Sequence, residues 1–306
     1  MLSIFKFYIK KVKIIFYLYK IFQDRRYIYY YIQSSFTKPR TREFLASLES
    51  RGFKAEKKPS KLAKLMSKNS YVENPLALNP DLVNRIRKSL EILKCHDLEA
   101  PSIEFDINQR PDGCNLAYYK TEDLFSIKEV VQLAINENLI SIFNNLYGCN
   151  PIIDYIGAWW CFPGSTTHGT QKWHRDVDTL NQLKFFLYLT DVDEESGPHS
   201  LISGSHKVEF KTQRDQHHKE EEVKHLINEY GCKTFLGKAG TNFLENAFAL
   251  HKGEIPKEKP RLLLEILFSR IQSPLSPRKP FVNPNSSEFP DIFLENKDLF
   301  KKVLIF

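Results

Sequence analysis

The sequence predicts an α+β protein in which a helical first part is followed by strands that form a sandwich or jelly roll at the centre of the domain. The first part has segments with helical periodicity, and the second has β-branched and aromatic runs bounded by Gly, Pro, Asn and Asp. Those runs lie at residues 151–162, 182–192, 241–250 and 261–269. Helices followed by clustered strands are typical of this fold class.

Each helical element is predicted by its periodicity and its ends. A helix is expected after Asn79 and Pro80, because apolar residues then recur along one side, at Leu82, Ile86, Leu90 and Leu93. A second helical region is expected within residues 121–148, ended by Gly148. A charged helical insert, residues 208–231, interrupts the strands.

These elements predict three parts of the chain. Residues 1–70 form a basic helical N-terminal extension, and residues 71–270 form the main domain with its insert. Residues 271–306 form a tail packed on that domain. The tail contains five prolines, so we expect an extended segment that runs over the surface.

Charge is unevenly distributed along the 306 residues, although the formal net charge is only +7. Residues 1–70 hold 17 Lys and Arg against 4 Asp and Glu, which leaves 27 basic and 33 acidic residues in the remainder. A basic terminus can contact an anionic membrane surface or nucleic acid. The chain has no nucleic-acid motif, so we expect no nucleic-acid partner.

The first residues are apolar but carry interspersed lysines, which excludes a membrane-spanning helix and a signal peptide. Two interpretations stay open. Residues 1–35 could lie on an anionic membrane as a peripheral helix, or a helix there could pack its apolar side on the protein body. We favour the second. Five cysteines without a C-x-x-C pair favour a reducing, cytoplasmic setting.

The segment Gln171-Lys172-Trp173-His174-Arg175-Asp176 carries the main chemical signal. In an extended strand His174 and Asp176 project from one side, where an imidazole and a carboxylate can bind one cation. A third ligand should come from a distant strand, and His251 ends the predicted strand 241–250. These three residues match the two-His-one-carboxylate set of non-haem iron sites.

Arg261 opens the next predicted strand, which is otherwise apolar up to Glu265. A guanidinium that points into a barrel needs an anion, and its planar fork suits a carboxylate. A charge at the exposed edge of the strand is the alternative interpretation.

The sequence resembles the phytanoyl-CoA dioxygenase family through five motifs in order. The first two are Trp173-His174-Arg175-Asp176 and the run 184–192, which ends in Leu-Thr-Asp-Val. The others are Ser196-Gly197-Pro198, Gly204-Ser205-His206-Lys207, and His251-Lys252-Gly253 followed by Arg261. The resemblance covers roughly residues 110–270.

The resemblance implies a double-stranded β-helix, which is a cupin-like jelly roll with flanking helices. It also implies Fe(II) held by His174, Asp176 and His251, with 2-oxoglutarate held by Arg261 and O2 as the third reactant. The expected activity is hydroxylation of a small or medium organic substrate, with release of succinate and CO2. Asp176 supports hydroxylation, because related halogenases have a small residue there.

Two positions depart from the family pattern. Members often have Ser or Thr two residues after the distal His and two after the Arg, where this chain has Gly253 and Leu263. Co-substrate binding could therefore be weaker, or rely on other groups. A catalytically silent jelly-roll protein that binds a metal or ligand, and that could be membrane-peripheral, stays open as the alternative function.

Other residues are weaker candidates. Gln171 and Lys184 are assigned to the co-substrate pocket, although Lys184 could also be a solvated strand charge. His206 is a candidate on the substrate side, while His168 and His199 are expected in loops. The pair His217-His218 is expected on the exposed face of the insert helix, and the insert is the natural position for a lid.

Overall fold

A computed structural model describes the protein over residues 60–164, 169–176, 182–208, 217–270 and 280–305. The helices of this part are α1 (Lys61–Asn69), α2 (Pro80–Glu91), α3 (Thr121–Leu124), α4 (Lys128–Ala134), α5 (Glu137–Tyr147), α6 (Glu220–Tyr230), α7 (Pro290–Glu295) and α8 (Lys297–Phe300). The strands are β1 (Tyr71–Glu73), β2 (Lys94–Asp97), β3 (Glu104–Asp106), β4 (Leu116–Tyr119), β5 (Ile152–Cys161), β6 (Trp173–His174), β7 (Gln182–Tyr188), β8 (His199–Ile202), β9 (His217–His218), β10 (Cys232–Phe235), β11 (Asn242–Glu245), β12 (His251–Gly253) and β13 (Arg261–Ser269).

The strands form two antiparallel sheets that face each other, as the jelly-roll prediction requires. The larger sheet has the order β1-β11-β7-β13-β5-β4-β2-β3, and the smaller sheet has the order β10-β8-β12-β6-β9. From β5 to β8, and again from β10 to β13, successive strands alternate between the sheets, so residues distant in sequence meet in the space between them. The predicted α+β class with a jelly-roll core and flanking helices is confirmed.

The two main helical regions begin and end as their sequences dictate. The side chain of Asn79 accepts the backbone N–H of Asp81, and Pro80 occupies the first turn of α2. The side chain of Asn136 accepts the backbone N–H of Asn138 at the start of α5. That helix ends at Gly148, whose φ of 67° lies in the left-handed region that glycine adopts without strain.

Three apolar layers place the site between the sheets. The outer face of the larger sheet packs on helices, the inner faces pack on each other, and α6 covers the outer face of the smaller sheet. Phe186, Tyr188 and Leu263 belong to the layer between the sheets. Trp173 belongs to the layer beneath α6, together with Val223. The polar residues between the sheets are therefore enclosed by apolar packing on both sides.

The expectation of an extended C-terminal tail is wrong where the structure describes the tail. Residues 290–300 form α7 and α8, and Phe293 and Phe300 are fully buried in the layer outside the larger sheet. Lys302 forms a buried ion pair with Asp154 of β5. Pro290 does not prevent the helix, because it lies in the first turn, where its missing N–H is not needed.

Two strand predictions are wrong in their extent. The predicted strand 182–192 ends at Tyr188, and the predicted strand 241–250 ends at Glu245. A turn in which the side chain of Asn246 accepts the backbone N–H of Phe248 then carries the chain to the other sheet. His251 consequently begins the separate strand β12.

The basic segment comprising residues 1–59 lies outside the described residues, so the expectations for residues 1–35 fall there too. Among the helices of the described ranges, none combines the length and the apolar character that crossing a membrane requires. The insert is helical from Glu220 to Tyr230, in agreement with the prediction for that stretch. His217 and His218 precede this helix and form β9, so their placement on the helix was wrong.

Candidate metal centre

His174, Asp176 and His251 meet in the space between the sheets. His174 and His251 are register partners on β6 and β12, and their ring centroids are 4.2 Å apart. The Nε2 atoms of His174 and His251 each lie 3.5 Å from a different carboxylate oxygen of Asp176. One ligand atom from each residue falls within 4.8 Å of the others. Atoms bound to one ion at about 2.1 Å lie about 3 to 4 Å apart, so the three side chains fit one cation.

Backbone carbonyls orient both imidazoles. Nδ1 of His174 donates to the carbonyl of Lys172 at 2.8 Å, and Nδ1 of His251 donates to the carbonyl of Ala249 at 2.9 Å. Each ring therefore keeps a proton on Nδ1 and turns Nε2 toward Asp176. This second hydrogen bond is how metal-binding histidines are held in one tautomer.

The three groups have different proton affinities. Burial lowers the pKa of His174 to about 3, with a further decrease from His251. Burial also acts to lower the pKa of His251, but the carboxylates of Glu245 and Asp176 outweigh it and raise that pKa to about 9. Burial opposes ionisation of Asp176, yet the nearby cations, Lys184 first, hold its pKa well below its usual range. An anionic carboxylate and a neutral imidazole are thus ready for a metal.

Arg261 lies at the base of the same space and is 3% exposed. Its Nη2 donates to the sulfur of Cys161 at 3.4 Å. Its Nε and Nη1 atoms have no hydrogen-bond partner among the described residues, although both are buried. A buried guanidinium with two unpartnered nitrogen atoms is costly, and its paired N–H groups have the geometry that suits an anion with two oxygens.

Lys184 links the triad to a second carboxylate that the sequence analysis did not assign. Its Nζ lies 2.6 Å from Oδ2 of Asp176 and 3.0 Å from Oε1 of Glu265. Burial raises the pKa of Glu265, and Lys184 opposes that increase. The alternative interpretation of Lys184 as a solvated strand charge is wrong, because its side chain is 13% exposed and points into the cavity.

A further buried carboxylate lies behind His251. Oε2 of Glu245 accepts a hydrogen bond from Nε2 of His199 at 2.8 Å, and Oε1 of Glu245 lies 3.9 Å from Nε2 of His251. His199 stacks on His251 with ring centroids 5.5 Å apart. The expectation of His199 in a loop is wrong, since it begins β8 and is buried.

A cavity of about 340 Å³ opens onto the triad, Arg261, Lys184, Glu265 and His199, while Glu245 does not line it. Gln171 lines it, as expected, together with the triad and Arg261. Its walls are mostly apolar or aromatic, a composition typical of small-molecule sites. The described lining residues outside the polar centre include Leu116, Tyr118, Tyr155, Trp159, Cys161, Phe186, Gly253, Leu263 and Leu267.

Some histidines lie elsewhere than expected. His206 does not line the cavity, and its Nδ1 lies 2.5 Å from the hydroxyl of Ser70. His217 is the register partner of His174, with ring centroids 5.9 Å apart, so it flanks the triad. His168 lies outside the described residues. The sequence analysis did not assign Glu245 and Glu265 to the site. The pattern that could have identified them is a single carboxylate in a mostly apolar strand.

A His-Asp-His triad inside a jelly roll is the ligand set typical of non-haem Fe(II) oxygenases. The resemblance found in the motifs is confirmed by a family model described as phytanoyl-CoA dioxygenase (PhyH), which matches residues 121–254. The matched segment contains the whole triad and ends before Arg261.

Solved structures show the same fold. EctD from S. alaskensis, solved with 2-oxoglutarate and 5-hydroxyectoine, superimposes with a TM-score of 0.52 at 18% identity, covering 71% of this chain and 79% of that chain. The same enzyme with bound Fe gives a TM-score of 0.53 at 18% identity, covering 71% and 80%. The non-heme alpha ketoglutarate dependent epimerase SnoN from nogalamycin biosynthesis gives 0.50 at 17% identity, covering 68% and 81%. No curated protein matches the sequence.

Proposed function

We propose that this chain is an Fe(II)- and 2-oxoglutarate-dependent dioxygenase that hydroxylates a small or medium organic substrate. One observation carries the proposal: the triad and Arg261, whose Nε and Nη1 have no partner among the described residues, line one cavity. A cation site beside an anion site matches the two species that such a dioxygenase must bind together, Fe(II) and 2-oxoglutarate. The family match supports the same assignment.

The residues present fit the iron and its co-substrate. His174, His251 and Asp176 would hold Fe(II) through two Nε2 atoms and a carboxylate, a combination that suits this metal. Arg261 would hold the distal carboxylate of 2-oxoglutarate through Nε and Nη1. Iron, when bound, would supply the oxidising chemistry with O2. The chain would bind and orient the substrate and exclude water. The apolar walls serve that last role.

Hydroxylation is the outcome we favour because Asp176 is present. A carboxylate ligand occupies a coordination position that a halide would need in a halogenase. SnoN, which has the same fold, is described as an epimerase, so the fold alone does not define the outcome. Product analysis by mass spectrometry separates the two outcomes, since hydroxylation adds one oxygen atom and epimerisation leaves the mass unchanged.

The test is aerobic incubation with Fe(II), ascorbate and 2-oxoglutarate labelled with ¹⁴C at C1. We expect release of labelled CO2 with formation of succinate, stimulated by the true substrate. His174→Ala should reduce this release to the background of free iron. Release that is the same in the variant and the wild type would contradict the proposal.

A metal- and ligand-binding protein without turnover is the second candidate, and Gly253 supports it. A Cβ at Gly253 would lie 3.2 Å from Nη2 of Arg261, so the guanidinium takes up space that a Ser or Thr side chain would need there, and this chain lacks that hydroxyl. Leu263 provides an apolar wall there instead. Binding of 2-oxoglutarate without any CO2 release, across a broad substrate panel, would favour this candidate.

A further inference from the structure

The large sheet arranges its inward side chains in rows, because register partners on neighbouring strands point to the same face. Starting at Arg261, alternate residues of β13 define successive depths in the cavity. The rows pair Arg261 with Cys161, Leu263 with Tyr188 and Trp159, Glu265 with Phe186 and Gly157, and Leu267 with Lys184 and Tyr155. Glu265 thus lies two rows from the proposed co-substrate anchor and lines the same cavity.

The charges around the centre do not balance once both ligands are counted. Among the described residues around the centre, the carboxylates are Asp176 and the buried Glu245 and Glu265, and the cations are Lys184 and Arg261. Fe(II) and the 2-oxoglutarate dianion cancel each other, and both iron-binding imidazoles are neutral. One negative charge therefore remains, in a space where unpaired charge is unfavourable.

Lys184 is poorly placed to receive an anionic substrate. Its Nζ contacts Asp176 at 2.6 Å and Glu265 at 3.0 Å, so it already neutralises two carboxylates. An incoming carboxylate or phosphate would add a second negative charge to the cavity. A cationic group would instead supply the missing positive charge beside Glu265.

Aromatic groups beside Glu265 suit the same kind of ligand. Tyr118 stacks on Trp159 with ring centroids 5.4 Å apart, and both line the cavity. A Cβ built on Gly157 would lie 2.3 Å from the hydroxyl of Tyr155, so that phenol covers the residue opposite Glu265. Aromatic faces next to a carboxylate bind organic ammonium groups, through charge and through the ring quadrupole.

We propose that Glu265 is a specificity-determining residue that binds an ammonium group of the substrate, with Trp159 and Tyr118 forming the adjacent wall. The substrate is thus a small organic amine or a zwitterion that presents its amine to Glu265. This inference rests on the proposed function, because it places the substrate in the cavity that Fe(II) and 2-oxoglutarate share.

The test uses three probes with one carbon chain and different head groups: butylammonium, butanol and butyrate. Each is titrated anaerobically into the Fe(II)–2-oxoglutarate complex, and binding is followed by paramagnetic relaxation of the probe's protons. We expect butylammonium to bind at least about tenfold more tightly than butanol, since a charge-assisted hydrogen bond is worth about 1.5 to 3 kcal/mol. Butyrate should bind more weakly than butanol.

Glu265→Gln keeps the size and the hydrogen-bonding capacity but removes the charge. It should abolish the preference for butylammonium over butanol. The visible charge-transfer band that Fe(II) and 2-oxoglutarate give together in the absence of oxygen reports whether the variant still forms the complex. Glu258→Gln makes the same chemical change at an exposed position outside the cavity and should leave all three affinities unchanged.

Equal binding of the three probes, or tighter binding of butyrate, by a wild-type protein that shows the band would overturn this inference alone. A Glu265→Gln variant that keeps its preference for the amine would overturn it as well. If Glu265→Gln does not fold, the order in which the wild type binds the three probes still decides whether the inference holds. Absence of the band in the wild type would overturn the proposed function, and this inference with it.

Discussion

In each histidine of the triad, Nδ1 donates a hydrogen bond to the backbone carbonyl two residues earlier in the chain. This bond orients the ring and so fixes the position of Nε2, the proposed metal-binding atom. The bond from His174 to Lys172 and the bond from His251 to Ala249 have the same form on two different strands. Nδ1 is occupied in both rings, so Nε2 is the atom available to a metal. The strand backbone therefore sets the ligand geometry before any ion binds.

Asp176→Ala removes the anionic ligand of the proposed site. We expect loss of the visible charge-transfer band that anaerobic Fe(II) and 2-oxoglutarate give together, because two imidazoles alone hold the ion weakly. The loss should exceed the roughly 10–100-fold effect of removing a ligand's hydrogen-bond partner. Asp191→Ala is the matched control, since Asp191 is exposed and pairs with Lys238 at the surface. A band of wild-type affinity in Asp176→Ala would refute the ligand assignment.

Arg261→Ala should affect the co-substrate and not the metal. Loss of charge-assisted hydrogen bonds, at about 1.5 to 3 kcal/mol each, predicts an increase of about 10- to 100-fold or more in the Kd of 2-oxoglutarate. Calorimetric titration with Co(II) should give an unchanged metal affinity. Equal weakening of both would show that Arg261 supports the structure of the site as a whole.

The pKa of His251 predicts how metal affinity depends on pH. Without metal this pKa is raised to about 9, so below that pH the imidazole is protonated and a metal must displace the proton. Affinity should therefore rise with pH, by up to about tenfold per unit, and level off near pH 9. Titrations with Co(II) at pH 6.5, 7.5 and 8.5 measure the slope. A flat profile would show that Glu245 and Asp176 do not hold that proton.

At the scale of elements, α6 is tied to both strands that carry a histidine of the triad. Its first residue, Glu220, accepts a hydrogen bond from Nε1 of Trp173 at 2.6 Å and forms an ion pair with Lys252 at 3.1 Å. Trp173 precedes one histidine of the triad, and Lys252 follows the other. Lys252 also lies over the Trp173 ring, 4.9 Å from its centroid. The start of the insert helix thus holds the outer face of the site.

Glu220→Ala should loosen α6 from the smaller sheet. Its carboxylate is about half exposed, so we expect a modest loss of about 1 kcal/mol, seen as faster amide hydrogen exchange in α6 and β12. Glu221→Ala is the control, because Glu221 is the next residue and is exposed. Amide hydrogen exchange in α6 and β12 of this variant should match the wild type. Identical exchange in both variants would mean that packing of Val223 alone holds the helix.

At the scale of the whole molecule, the C-terminal segment completes the layer outside the larger sheet. Phe300 and Phe293 pack against Phe125, and the ion pair of Lys302 with Asp154 fixes the segment to β5. Residues at the end of the chain therefore support the strand opposite Arg261. The cavity lies on the other face of that sheet.

Phe300→Ala should lower the free energy of unfolding by about 3 to 5 kcal/mol, because it removes a fully buried ring from a packed layer. Leu294→Ala in α7 is the control, since Leu294 is 47% exposed, and it should cost less than about 1 kcal/mol. Denaturant unfolding measures both. Equal stability of the two variants would show that the C-terminal helices do not contribute to the core.

Local sequence signals predicted the elements that depend on local interactions. The helix after Asn79 and the end of α5 at Gly148 follow from capping and backbone freedom, which neighbouring residues decide. The strand cores follow from β-branched and aromatic runs. Strand ends were less predictable, because the break after Glu245 depends on a turn that sends the chain to the other sheet.

The sequence by itself determined the jelly-roll class and brought forward His174, Asp176, His251 and Arg261 as one site. Alternation along a strand and the order of motifs along the chain can both be recognised in the sequence alone, because neither depends on how distant segments pack. Only the tertiary structure decided that Lys184 and Glu265 form a buried pair beside the triad. Their contact depends on the register between β7 and β13. Lys184 and Glu265 are 81 residues apart in the chain, and no local pattern aligns the two strands.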